Sequence, residues 1–213
     1  MSETPPELVA SELALNAVKQ RQLELEVAAM ERMASRVLSD PEHTGRFEFV
    51  GPIMEGSAHT MIRQLSTYAA RYPGAPIEIL LNSPGGSVLD GFALVDYLQR
   101  LQRQGHEITI VGIGEVASMA AILLQVADVR ILTNRAWLCV HEVSQVVHGS
   151  ITVAEDTLKL SKALQGRAVE LLCARSTMTP RKLEAMWKRR DVFMDAPECL
   201  KHGFIDRIEG SDL

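Results

Sequence analysis

The chain reads as a mixed α/β protein preceded by a helical extension. From Arg46 onward short apolar strands alternate with amphipathic helices, which predicts a mainly parallel sheet covered by helices. Before that point the residues carry helical spacing only. Two of the strands run directly into glycine-bearing turns, and in parallel sheets ligand sites form at such carboxyl ends.

Composition sets the outer limits. The 213 residues (23.5 kDa) suffice for one domain plus an extension. Hydrophobic residues make up 46% and charged residues 23%, the balance of a globular chain rather than a disordered one. The formal net charge is −5, so no basic face for neutralising phosphates is advertised and a nucleic-acid partner is not expected. Apolar runs are short and broken by charge, so no membrane span is expected. The first residues, Met1-Ser2-Glu3-Thr4-Pro5-Pro6-Glu7, are acidic and lack an apolar signal core. Cys139, Cys173 and Cys199 are widely spaced with no CxxC, which fits a reducing cytoplasm and gives no metal site.

Residues 5–38 read as one helix. Thr4 can cap it, Pro5 suits the first turn and Glu7 completes a capping box. Leu23, Val27, Met30, Ala34 and Val37 fall on one face, whereas Gln20 and Asn16 make the same seam partly polar further back. Pro41 ends the helix, because a proline disfavours the α conformation in the residue before it. The extension packs on its own domain, packs against a neighbouring subunit, or regulates access.

The α/β part comes next, element by element. Phe47–Val50 is a strand, Ala58–Tyr72 a helix closed by Pro73-Gly74, and Ile77–Leu81 a buried strand. Leu89–Leu101 is a helix, Ile108–Ile113 a strand and Val116–Val126 a helix. Val129–Leu132 and Trp137–Val140 are strands, and a long helix covers about Val153–Ala174. A short helix near Arg181–Lys188, a turn through Ala196–His202 and a strand Phe204–Ile208 complete the chain.

Chemistry concentrates at the two glycine-bearing strand ends. Ser83-Pro84-Gly85-Gly86-Ser87-Val88 lets the backbone approach a ligand and turn amides outward, which stabilises a negative oxygen. It lacks the lysine of a phosphate loop and the spacing of a dinucleotide fingerprint, and by itself is equally a tight strand-to-helix turn. In Gly112-Ile113-Gly114-Glu115-Val116-Ala117-Ser118-Met119-Ala120-Ala121 a serine sits on the first turn of an apolar helix. A lone serine there caps a helix; a nucleophile also needs a general base and an oxyanion site.

His141 is the partner, delivered to the same sheet edge by Trp137–Val140. His43, His59, His106, His148 and His202 fall in linkers, helix entries or late turns and read as solvated surface. Among later carboxylates Asp191 stands out, with Asp195 and Asp206 as competitors that spacing alone does not eliminate.

Together these residues resemble the ClpP family, the proteolytic subunit of the ATP-dependent Clp protease. The resemblance rests on Gly85-Gly86-Ser87-Val88, Ser118-Met119-Ala120-Ala121, His141, Arg190-Asp191-Val192-Phe193-Met194, Ala196-Pro197-Glu198 and Gly203-Phe204-Ile205-Asp206, and covers about residues 46–210. It implies Ser118 as nucleophile, His141 as general base and Asp191 as orienting acid. It also implies the backbone N–H groups of Gly86 and Met119 as the oxyanion hole, with Val88 beside the bound peptide. The implied fold is a crotonase-like ββα superhelix, here with an added N-terminal helix: residues 1–45 form the extension and 46–213 the protease domain. The implied assembly is a homo-oligomer of two stacked seven-membered rings that meet through the long helix from about Val153. Substrates would be unfolded polypeptides, with no cofactor and with ATP used by a separate AAA+ unfoldase, since this chain has no Walker motif.

The chain departs from the family at four places. His141 is followed by Glu142-Val143-Ser144 where a proline is usual, and the segment between Ser118 and His141 is shortened, with Ala127-Asp128-Val129 where a glycine turn is common. Arg189 stands where an acidic residue typically precedes the Arg-Asp pair, and the short axial loop that engages the ATPase is replaced by residues 5–38. Other classes are a crotonase-type acyl-CoA enzyme, a serine–lysine protease of the signal-peptide-peptidase type, against which Met119 speaks, and a non-catalytic ring subunit.

Overall fold

The computed structural model describes residues 20–22, 24, 25, 28, 41–144, 146 and 148–210. Contacts divide the chain into Met1–Thr44 and Gly45–Leu213. In the first unit Gln20, Arg21, Gln22, Glu24, Leu25 and Ala28 are helical, with Arg21 Nη1 3.2 Å from Glu24 Oε2. The rest of the helix expected over 5–38, including its Thr4 cap and the seam residues Leu23, Val27, Met30, Ala34 and Val37, lies outside the described residues. Pro41–Thr44 form a single helical turn, α1.

The second unit is built on seven strands. Parallel strands β1 (Arg46–Val50), β2 (Ile77–Ser83), β3 (Ile108–Ala117), β4 (Val129–Thr133) and β7 (Arg207–Glu209) lie side by side in the order β1-β2-β3-β4-β7. The strongly apolar runs of β2 and β3 fit this, since a parallel sheet covered on both faces gives no polar side to show. Helices α2 (Glu55–Arg71) and α3 (Val88–Arg103) make the first two crossovers, and α4 (Met119–Gln125) the third.

The sheet forks at β3. Residues Thr109–Gly112 pair with β4, whereas Glu115–Ala117 pair with β5 (Trp137–Val140), again parallel. Between them the β2–β3 register slips, from Leu81 opposite Gly112 to Ser83 opposite Val116. Extra residues in one strand bend it and re-aim the chain beyond the bend, which here leads straight to Ser118. Strand β6 (Val192–Asp195), not expected from the sequence, runs antiparallel to β5, with Val140 opposite Val192.

The remaining elements are α5 (Ile151–Ala174), α6 (Pro180–Trp187) and α7 (Ala196–His202). Thr179 accepts from Lys182 N to cap α6, and Ser150 accepts from Val153 N to cap α5. The C-terminal half of α5 buries Leu164, Ala168, Val169 and Leu172, spacing that lays one stripe on the core.

Three expected boundaries move. Val116 and Ala117 end a strand rather than start a helix, so Ser118 stands before α4 and not on its first turn. The turn expected at Ala196–His202 is a helix, capped by Asp195 Oδ1 accepting from Glu198 N at 2.8 Å. The last strand begins at Arg207, because Phe204 and Ile205 turn inward to fill the core.

Candidate active site

Ser118 occupies a backbone conformation that few L-residues adopt. Its φ is 56° and its ψ −122°, in the sharp turn between the end of β3 and the start of α4. A non-glycine residue at positive φ costs on the order of 1–3 kcal/mol and persists where its surroundings over-determine it. The surroundings here are dense: Ser118 N donates to Cys139 O at 2.8 Å, and Met119 through Gln125 are all buried. A strand-to-helix turn of this kind lifts a side chain out of the sheet, and Ser118 is half-buried at the lip of a cavity.

The Gly85-Gly86 turn fits against it. A Cβ on Gly85 would stand 2.6 Å from Ser118 Cβ and 2.9 Å from Met119 N, and a Cβ on Gly86 would collide with the Ile53 carbonyl. Both glycines have positive φ, +88° and +146°. Ser83 Oγ, fully buried, accepts from Gly85 N at 3.1 Å and fixes the start of the turn. Ile53 gives its N–H to Gly85 O and takes that of Ser87, so this bridge does not use the Gly86 N–H. The N–H of Met119, the first residue of α4, lacks an intrahelical acceptor by position.

A cavity of about 260 Å³ adjoins Ser118. At its mouth lie Gly86, Val88, Ser118, His141, Glu142 and Ser144. Its buried wall is apolar: Met119 and Ile122 from α4, Val140 from β5, Ala168 and Leu172 from α5, and Trp187 from α6. The structure thus brings Ser118, His141, Gly86, Met119 and Val88 to one cavity. Asp191 does not line it.

His141 is half-buried, and its Nδ1 lies 2.6 Å from the carbonyl oxygen of Glu142. Among the described residues neither Ser118 and His141 nor His141 and Asp191 share a hydrogen bond. Asp191 is exposed and immediately precedes Val192, whose partner across the β5–β6 ladder, Val140, immediately precedes His141. Its two competitors are engaged elsewhere: Asp195 caps α7, and Asp206 is ion-paired with Arg130 and Arg175. The loop after His141 is tied to α5, where Gln165 Oε1 accepts from Val143 N at 3.2 Å.

Burial dominates the electrostatics nearby. It pushes the Cys139 thiol up to about 11, with the charges of Asp191 and Glu115 adding to the rise. A thiol raised this far is almost wholly protonated at neutral pH. Among the described residues there is no group of three His, Cys, Asp or Glu side chains that could hold a metal ion. Likewise no helix among them is long and apolar enough to cross a membrane.

Sequence reasoning did not anticipate Gly85 as the close neighbour of Ser118, nor Trp187, Ala168 and Leu172 as cavity wall. The glycine had a visible signal, being one of a pair. The three wall residues are core positions by periodicity, and only the packing of α5 and α6 turns them toward a cavity.

The family model for Clp protease matches residues 29–212 of the chain. It extends through the whole α/β unit and begins within the segment read from sequence as an extension.

Proposed function

This chain belongs to the Clp protease family and is a peptidase by that membership, and we propose that it is a serine endopeptidase whose nucleophile is Ser118. The observation that carries the proposal is the backbone of Ser118: a serine at φ 56°, on the cavity that His141 also lines. A helix cap needs no such conformation, and Ser118 Oγ makes no capping hydrogen bond.

In this reading His141 takes the hydroxyl proton as Ser118 Oγ attacks a peptide carbonyl. The oxyanion is received by the N–H groups of Gly86 and Met119; losing one such donor costs about 3–4 kcal/mol of transition-state stabilisation. His141 then gives its proton to the leaving amine, and water resolves the acyl-enzyme. Asp191 orients the imidazole once the ring turns from Glu142 O, and Val88 lies beside the peptide.

The site works inside a homo-oligomeric chamber of stacked seven-membered rings in the cytoplasm, fed with unfolded polypeptide by an AAA+ unfoldase. Support for assembly comes from the N-terminal half of α5, where Ile151 (81% exposed), Val153, Leu158 and Leu160 present apolar side chains to solvent. Exposed apolar surface of that kind marks an interface.

One observation favours a second reading, a non-catalytic ring subunit: His141 Nδ1 is engaged by Glu142 O. A fluorophosphonate probe separates the two. The assembled wild type is expected to label covalently and Ser118→Ala to remain unlabelled; an unlabelled wild type would overturn the proposal.

A further inference from the structure

The peptide plane between Gly85 and Gly86 has a glycine on each side. No Cβ hinders its rotation, and the flanking φ angles are +88° and +146°. In a trans peptide the C=O and N–H point in opposite directions, and among the described residues every peptide is trans. One orientation of this plane frees the Gly86 N–H for the cavity that Gly86 lines. The flipped orientation would present the Gly85 carbonyl instead, and a carbonyl oxygen repels a developing oxyanion.

Main-chain hydrogen bonds choose between the two. Ile53 N donates to Gly85 O at 2.8 Å, and Ser87 N donates to Ile53 O at 2.8 Å. Gly85 N donates to Ser83 Oγ at 3.1 Å. Of the N–H groups of Gly85, Gly86 and Ser87, that of Gly86 alone has no acceptor among the described residues. A flip of the plane would break the Ile53 bond and strand its N–H beside the core.

Ile53 is itself held firmly. Its side chain is 1% exposed and belongs to the core. Ahead of it Gly51 N donates to Asn82 O at 2.9 Å, and behind it Met54 N donates to Ser57 Oγ at 3.0 Å. Its carbonyl abuts Gly86 so closely that a Cβ there would collide with it.

We propose that Ile53 is a positioning residue for the oxyanion site, whose main-chain N–H locks the Gly85–Gly86 plane and so aims the Gly86 N–H. The inference rests on Ser118 being the nucleophile and Gly86 a donor to the oxyanion. The bond strengthens that donor as well as aiming it. A carbonyl that accepts a hydrogen bond polarises its own peptide, and the N–H at the other end becomes a better donor. The buried side chain is the anchor and the amide the acting group, so proline is the one residue that could not serve here.

The test uses the assembled full-length protein with Ile53 replaced by its α-hydroxy acid, which keeps the side chain and removes this one N–H. Ile53→Pro removes the same N–H genetically. In the hydroxy-acid protein kcat on a short peptide is expected to fall at least about tenfold with KM within about twofold, short of the roughly 10²–10³-fold that outright loss of a donor costs. A peptide trifluoromethyl ketone forms an adduct with Ser118 Oγ that carries an oxyanion, and should lose affinity by the same factor as kcat. The matching peptide alcohol forms no such adduct and should bind as before. A role confined to holding the fold would lower the melting temperature and leave the ratio of ketone to alcohol affinity unchanged. An unchanged ratio, or a kcat within about twofold of wild type, overturns the proposal. If Ser118→Ala abolishes cleavage while that kcat holds, this inference alone fails; cleavage that persists in Ser118→Ala removes the nucleophile assignment beneath it.

Discussion

A Cβ placed on Gly85 would stand 2.6 Å from Ser118 Cβ, closer than two such carbons can approach. The turn after β2 and the elbow after β3 therefore fit together only while residue 85 is glycine. Its φ of +88° adds a second penalty for any side chain. Gly85→Ala is expected to push the elbow or the turn aside and to lower kcat by at least about a hundredfold, the effect of losing one oxyanion donor. The check is paired: turnover of a short peptide together with fluorophosphonate labelling. Activity within twofold of wild type would show that the close fit has no catalytic consequence.

His141 and Asp191 flank the last rung of the β5–β6 ladder, Val140 opposite Val192, yet the imidazole is hydrogen-bonded to Glu142 O. A backbone carbonyl can fix the tautomer but cannot stabilise an imidazolium as a carboxylate does. Asp191→Asn is therefore expected to reduce kcat by about 10³–10⁴-fold. Because Asp191 is exposed, the melting temperature should stay nearly unchanged. Retention of most activity in the variant would assign the orienting role to Glu142 O.

Much of this site was legible in the sequence because strands deliver residues to a shared edge. Ser118 and His141 each follow an apolar run, and the parallel pairing of β3 with β5 brings both to one cavity. The elbow was less legible: Val116 and Ala117 are small or β-branched apolar residues that suit a buried strand as well as a helix start. Strand β6 escaped notice because Val192–Asp195 is four residues long and is a strand only by pairing with β5. Spacing left Asp191, Asp195 and Asp206 open; a local cap on α7 occupies Asp195, and the long-range ion pairs with Arg130 and Arg175 occupy Asp206. Trp187 could be read as core, but no local pattern reveals that a core residue walls a cavity.

The exposed half of α5 gives a test of assembly. Leu158 is 55% exposed and Leu160 48%, on a helix whose buried stripe starts only at Leu164. If this half joins two rings, Leu158→Glu with Leu160→Glu would bury charge in the interface and separate them. Light scattering should then show a particle of half the wild-type mass, with helix content by circular dichroism unchanged. An unaltered mass would exclude these side chains from the contact.

Arg130 is 3% exposed and survives burial through Asp206, whose Oδ1 lies 2.7 Å from Arg130 Nη2. Gln125 Oε1 accepts from Arg130 Nη1 at 2.8 Å, and Arg175, just past α5, approaches Asp206 at 3.2 Å. Burial alone would raise the Asp206 pKa, but hydrogen bonds from the Arg130 side chain and backbone outweigh it. The charges of Arg130 and Arg175 act in the same direction, and the net shift is downward. A carboxyl more acidic in the folded state binds fewer protons there than in the unfolded chain. Its contribution is therefore complete above the ordinary carboxylate range near pH 4 and is lost as pH falls through the lower folded value. Asp206→Asn leaves a buried guanidinium without its counter-charge, a change that costs about 3–5 kcal/mol when the pair is fully buried. A third of the Asp206 side chain meets water, so about 3 kcal/mol is expected at pH 7. Urea unfolding from pH 7 down to pH 3 should show the gap between wild type and variant narrowing only below about pH 4. A gap that is constant over this range would mean that the carboxylate charge is not what holds Arg130 in the core.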